Sequence, residues 1–271
     1  MFRNRVPFFL VAFLVSCSTR LLRADLILNA TYINGASQVW NSTTQGVVQQ
    51  AINDWRQVFS GVNGATQAIN FNVSFSNAGT GGYLGQWQGS FSAFPGDSVR
   101  PWSLGTTHNI FFNADMLNAA LSNKLWFDPT PTTSGDQPAS DWDALSVARH
   151  EIGHMLGFST LYKDNVFQIN QTDPWASRIV GNIFDPAGLN VLMNADQAHL
   201  ATPTGNLMSP SLLNGVRIGI SGTEASMLSL AYGYNITAVP ETSSLLLLCA
   251  LIPLAVIRFR NKTPRNASKE T

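Results

Sequence analysis

The stretch His150-Glu151-Ile152-Gly153-His154 decides how this chain is read. Its two histidines stand four residues apart. On a helix that spacing puts them on one face, a turn from each other. Both imidazoles can then reach a single metal ion. Glu151 follows the first of them and has the place of a general base toward a water. Two ligands with a base between them point to metal-assisted hydrolysis. A purely structural ion needs no base and closes its fourth position with a protein ligand. The chain has only 4 histidines, and this stretch uses two of them.

The flanking residues predict the helix that the spacing needs. Ser140-Asp141-Trp142-Asp143 has the form of a capping box, with Ser140 as N-cap and Asp143 three residues on. Pro138 lies upstream, where it removes no helical hydrogen bond. Leu145, Val147, Ile152, Met155 and Leu156 supply an apolar face. Gly157 suits the residue after the C-cap, so one helix is predicted over 141–156.

Working outward, Leu26 to Ile33 alternates like a strand, and Thr44 to Phe59 reads as an amphipathic helix. Ile69 to Phe75 alternates strictly and predicts a half-buried strand. Gly79 to Gly89 is glycine-rich and reads as a loop, without the lysine of a phosphate loop. Asn109 to Asn113 predicts a further strand and Ala114 to Leu121 a short helix. Pro129 to Ser140 is a polar loop, and an irregular stretch runs from Phe158 to about Asn206. Ser221-Gly222-Thr223-Glu224 is a second capping box, opening a final helix to Ala231. This order predicts an α+β domain over residues 25–237, with a small mixed sheet, the histidine helix and a C-terminal helix.

Composition narrows the partners. The formal net charge is +0 with 12% charged residues, and no basic patch marks a nucleic-acid surface. Arg3 and Arg5 precede the apolar run Val6 to Val15, the pattern of a signal peptide over residues 1–24 cleaved after Ala24. Leu14-Val15-Ser16-Cys17 also resembles a bacterial lipobox, which would place a lipid on Cys17. At the other end, Leu245 to Ile257 is apolar and is followed by Arg258, Arg260, Lys262 and Arg265. That order predicts a membrane anchor with a cytoplasmic basic tail. With Val239-Pro240-Glu241 before it, the segment over residues 238–271 resembles the PEP-CTERM sorting signal, with Thr242 where that signal has a second proline. The resemblance implies sorting to the cell surface and an exosortase-type processing enzyme as a partner. Cys17 and Cys249 are the only cysteines, so the domain between the two ends has no disulfide.

A catalytic zinc ion takes three protein ligands and leaves one position open. The compact metzincin pattern puts its third histidine six residues after the second, where this chain has Thr160. The thermolysin-like pattern takes a downstream glutamate, but only Glu224, Glu241 and Glu270 follow Glu151. Glu224 is used in a capping box, and the other two lie in the anchor region. His199 is left, with Asp196 as the alternative. His199 stands a few residues before Asn206-Leu207-Met208, and this arrangement resembles the leishmanolysin-like metzincins. In them a long insertion separates the third histidine from the helix, and a methionine turn follows. The resemblance runs from about Asp143 to Tyr234. It implies a metzincin-like fold, Zn²⁺ held by His150, His154 and His199, and Met208 as an apolar floor beneath the ion. Where such turns often carry a tyrosine two residues past the methionine, this chain has Pro210.

The expectation is an exported zinc-dependent endopeptidase acting on a protein or peptide substrate. Glu151 takes a proton from the attacking water and passes it to the leaving amine. A non-catalytic surface or matrix protein that retains a metal site is the alternative, and a zinc hydrolase of another kind is a third reading. His108 is read as structural or surface. Asp136, Asp141, Asp143 and Asp164 are read first as loop or helix-start acids, and calcium binding stays open.

Overall fold

The computed structural model describes residues 24–90, 101–102, 106–133, 135–158, 199–200 and 205–237. The leader with Cys17, the C-terminal apolar run with Cys249 and its basic tail, Thr160, Asp164 and Asp196 lie outside the described residues. Among the described residues no helix is long and apolar enough to cross a membrane.

Strict alternation places strand β3, Gln67–Ser76, at the heart of the sheet. Ile69, Phe71, Val73 and Phe75 are buried, Asn70 is exposed, and Asn72 and Ser74 are half-buried. The sequence predicts this one-sided burial. Strand β1, Leu26–Ile33, runs parallel to β3 in a register from Leu26 opposite Gln67 to Ile33 opposite Ser74. Between them helix α1, Ser42–Val58, makes the crossover that a parallel pair requires. Asn41 and Thr44 form its capping box, and Val47, Val48, Ala51, Ile52, Trp55 and Val58 are its buried stripe. Strand β5, Thr107–Asn113, lies parallel on the other side of β3.

The glycine-rich segment departs from its reading. Residues 77–84 are loop, but Gly85–Ser90 form strand β4, antiparallel to β5, with Gly85 opposite Phe112 and Trp87 opposite Ile110. Glycine composition hid a strand whose stability comes from its neighbour rather than from propensity. The mixed sheet has the order β1-β3-β5-β4, with β4 at an edge. The predicted helix after β5 is only a 3₁₀ turn, Ala114–Leu117. The Asn118 side chain accepts the N–H of Ala120, a local bond that competes with helix.

The histidine helix also starts later than expected. Helix α2 is Ala144–Met155, because Trp142–Asp143 pair as strand β7 with Leu125–Trp126, strand β6. Asp143 is therefore the N-cap, and its carboxylate accepts the N–H of Ser146 at 3.0 Å and its hydroxyl at 2.7 Å. Ser140, the expected cap, instead donates to Asp141. The other end is as predicted, with Gly157 at φ 123° just past the C-cap. Helix α3, Gly222–Tyr232, opens on the capping box of Ser221 and Glu224. Strand β8, Tyr234–Ile236, pairs antiparallel with β2, Phe59–Val62.

Several contacts hold α2 against the rest of the fold. Trp55 on α1 donates its indole N–H to the Arg149 carbonyl at 2.9 Å, and Arg149 pairs with Asp54 at 2.6 Å. Trp55, Phe59 and Tyr234 stack in series, and the Tyr234 hydroxyl donates to the Leu156 carbonyl at 2.9 Å. Burying each such ring contributes about 1.5–3 kcal/mol, so the helix that carries the site rests on a buried aromatic stack.

Candidate metal centre

On α2 the four-residue spacing does what helical geometry dictates. His150 and His154 face the same way, with their Nε2 atoms 3.0 Å apart. His199 arrives from a separate part of the chain and brings its Nε2 to 3.2 Å from that of His154. The ligand atoms of the three residues all lie within 4.8 Å of one another. His150 and His154 are buried and His199 is half-buried.

The outer nitrogens decide what the inner ones can do. His150 Nδ1 is 2.6 Å from the Leu207 carbonyl, and His154 Nδ1 is hydrogen-bonded to the Phe158 carbonyl. A carbonyl only accepts, so each ring donates there and turns the lone pair of a neutral Nε2 inward. Burial pushes the His154 pKa well below its usual value, and the neighbouring charges of His150 and His199 push the same way. Lone pairs converging at about 3 Å repel one another unless a cation lies among them. Nitrogens bound to zinc at 2.0–2.1 Å in a tetrahedral arrangement stand about 3.3 Å apart, close to the 3.0 and 3.2 Å from His154 to its two partners. The donor set therefore fits a metal ion, and three imidazoles suit a first-row divalent ion such as zinc.

Met208 is fully buried, with its sulfur close to Gly153 of α2. A Cβ at Gly153 would lie 2.6 Å from the Met208 sulfur, so only glycine lets the turn pack so close under α2. Three hydrogen bonds converge on residues 207–208. The Leu207 carbonyl accepts from His150, the Met208 carbonyl accepts the Leu200 N–H at 2.7 Å, and the Met208 N–H donates to Glu224 at 2.9 Å. The turn thus orients one ligand directly and fixes the chain next to another.

Glu151 is buried beside the triad, at 5% exposure. Burial raises its pKa to about 8, and a hydrogen bond from the Trp87 backbone N–H opposes the shift. A cation held by the imidazoles would lower it again. Glu151 lines a cleft of about 670 Å³ together with the three histidines, residues 80–87, residues 209–212 and Asn214. Gly85 brings β4 against α2, since a Cβ there would lie 2.4 Å from Val147 and 3.2 Å from a Glu151 oxygen. Pro210 borders the cleft and offers no hydroxyl. A larger recess, about 880 Å³ beside Arg56 and Thr237, holds none of these groups.

The structure brings together His150, Glu151, His154, His199 and Met208, all named from the sequence. It adds Asp128 and Arg217, and it gives His108, Asp143 and Glu224 partners that sequence reading did not assign. His108 lies in β5, buried at 2%, and accepts the Trp87 indole N–H at 3.2 Å. Asp128 and Asp143, whose side chains are fully buried, both pair with Arg217, at 2.6 and 2.9 Å. Glu224 serves the methionine turn as well as its own helix. The capping motifs at Asp143 and Glu224 left local signals, whereas the Arg217 pairs and the Trp87–His108 bond join residues far apart in sequence. No family model matches this sequence, and no curated protein matches it.

Proposed function

We propose that this chain is an exported zinc-dependent endopeptidase with a metzincin-like fold. The observation that carries the reading is the convergence of three histidine Nε2 atoms beside a buried glutamate at the floor of an open cleft. A zinc ion held by His150, His154 and His199 would supply Lewis acidity at the scissile carbonyl and a more acidic water. Glu151 is the general base: it takes a proton from the attacking water and returns it to the departing amine. The Trp87 backbone N–H favours its ionised form. The mixed sheet with its antiparallel edge strand along the cleft suits an extended protein or peptide substrate. Export and retention at the cell surface rest on the signal-peptide pattern and on the sorting-signal resemblance of residues 238–271, through a membrane anchor and an exosortase-type partner.

The test is metal analysis and casein hydrolysis by the full-length chain, with and without a chelator. One zinc per chain and chelator-sensitive cleavage are expected. Zinc without any cleavage of casein or other unfolded substrates favours the non-catalytic surface protein instead.

A further inference from the structure

The register of β4 on β5 places two side chains together that no local pattern connects. Trp87 lies opposite Ile110 and His108 lies opposite Gly89. The two are therefore diagonal neighbours on one face of the antiparallel pair, within reach of an aromatic ring. Gly89 has no side chain, so the Trp87 indole can lean over His108. It does so, with ring centroids 6.0 Å apart and the indole N–H donating to His108 Nδ1 at 3.2 Å. His108 Nε2 is 2.8 Å from the Pro101 carbonyl and must donate to it. That bond fixes the neutral tautomer with Nδ1 as acceptor. Burial also disfavours the charged ring.

The other sides of Trp87 face the metal centre. Its indole plane lies within 23° of the His154 ring, with centroids 6.5 Å apart. Its backbone N–H is hydrogen-bonded to the Glu151 carboxylate. One residue of the edge strand thus touches both a ligand and the base, and its side chain is anchored from behind by a buried histidine.

We propose that Trp87 and His108 act as a positioning pair: His108 holds the Trp87 indole, and Trp87 in turn sets the tilt of the His154 ring and the place of the Glu151 carboxylate. Each acts through another residue. The role deepens the peptidase reading but rests on it only for the rate, since the effect on the metal stands without it. Partners behind a metal ligand typically influence metal affinity by 10–100-fold when lost.

The full-length chain loaded with cobalt(II) provides the test, because the visible absorption of cobalt reports ligand geometry. Trp87→Phe keeps the ring and deletes the donor, His108→Leu deletes the acceptor, and His108→Asn keeps an oxygen near the place of Nδ1. Trp87→Phe and His108→Leu are each expected to shift the cobalt band and weaken binding about tenfold against a competing chelator. Both should lower kcat on casein more than they raise KM. His108→Asn should stay within about threefold of the parent chain. The double variant Trp87→Phe/His108→Leu should be no worse than the poorer single, as for two residues acting through one contact. An unchanged band and affinity in both singles overturns the proposal. So does additive loss in the double, or a His108→Asn variant as impaired as His108→Leu. A chain that shows the cobalt effects and cleaves nothing overturns the peptidase reading alone.

Discussion

Glu224, the carboxylate that caps α3, accepts the backbone N–H of Met208 at 2.9 Å with one oxygen while the other accepts Ser221 N–H at 2.8 Å. One buried side chain therefore ties the last helix to the turn beneath the histidines. Glu224→Ala leaves two donors without acceptors and is expected to cost roughly 2–4 kcal/mol in urea denaturation. Burial holds the Glu224 pKa above its ordinary 4.5. The folded chain then keeps this proton to a higher pH than the unfolded one, so the associated stability is full below about 4.5 and is lost as pH rises through the folded value. Glu224→Gln does not titrate. The stability of the parent chain relative to Glu224→Gln, measured without metal at pH 4 and pH 8, should be lower at pH 8.

Glu151→Gln keeps the shape of the side chain and one acceptor for the Trp87 N–H. It removes the base. Zinc content is expected to stay at the parent level while turnover of casein falls by roughly 10²–10⁴. Undiminished hydrolysis by this variant would exclude Glu151 as the base.

Among the described residues His199 supplies one of three convergent nitrogens, so His199→Ala should lose tight zinc binding. Equilibrium dialysis against a chelator is the measurement. Full occupancy in His199→Ala, with loss confined to Asp196→Ala, would reassign the third ligand.

Gly153→Ala sets two effects against each other. Alanine gains about 1 kcal/mol of helix propensity over glycine. The new Cβ would lie 2.6 Å from the Met208 sulfur, and overpacking of this kind costs about 1–3 kcal/mol. Net destabilisation is expected. Met208→Ala in the same chain should relieve the clash, so that the double variant costs less than the sum of the singles in thermal denaturation.

Arg217 donates to Asp128 and Asp143, and also to the carbonyls of Pro131 and Thr133. Both carboxylates are fully buried. Arg217→Leu strands them and is expected to cost about 3–5 kcal/mol, largely restored by Asp128→Asn and Asp143→Asn together. The Lys124–Asp141 pair, 3.8 Å apart with the lysine 36% exposed, makes the contrast. Lys124→Ala should cost less than about 1 kcal/mol. Urea midpoints of the two variants compare the pairs directly.

What the sequence discloses depends on how far apart the cooperating residues lie. β1, α1, β3 and α3 are legible because each carries its own period or its own caps, as in the alternation from Ile69 to Phe75 and the box at Ser221 and Glu224. The histidine helix is legible from spacing, but its first turn is not. The pairing of Trp142 with Leu125 moves the cap from Ser140 to Asp143, and that contact spans two separate segments. β4 is hidden by its glycines, which serve close packing on α2 and room for an indole rather than strand propensity. His108 looks unremarkable in a line of text because its partner, Trp87, is 21 residues away.

The bond between the chain and an ion also has a meaning for the polymer. His154 and His199 are 45 residues apart, and a shared ion would close the intervening chain into a ring. Both cysteines lie in the predicted targeting ends, so no covalent bridge restrains the domain between them. If the ion acts as a cross-link, the loop-entropy estimate for a ring of that size is about 4 kcal/mol. The centre would then serve as the domain's one clasp, and a chelator would loosen the fold as well as disarm the site.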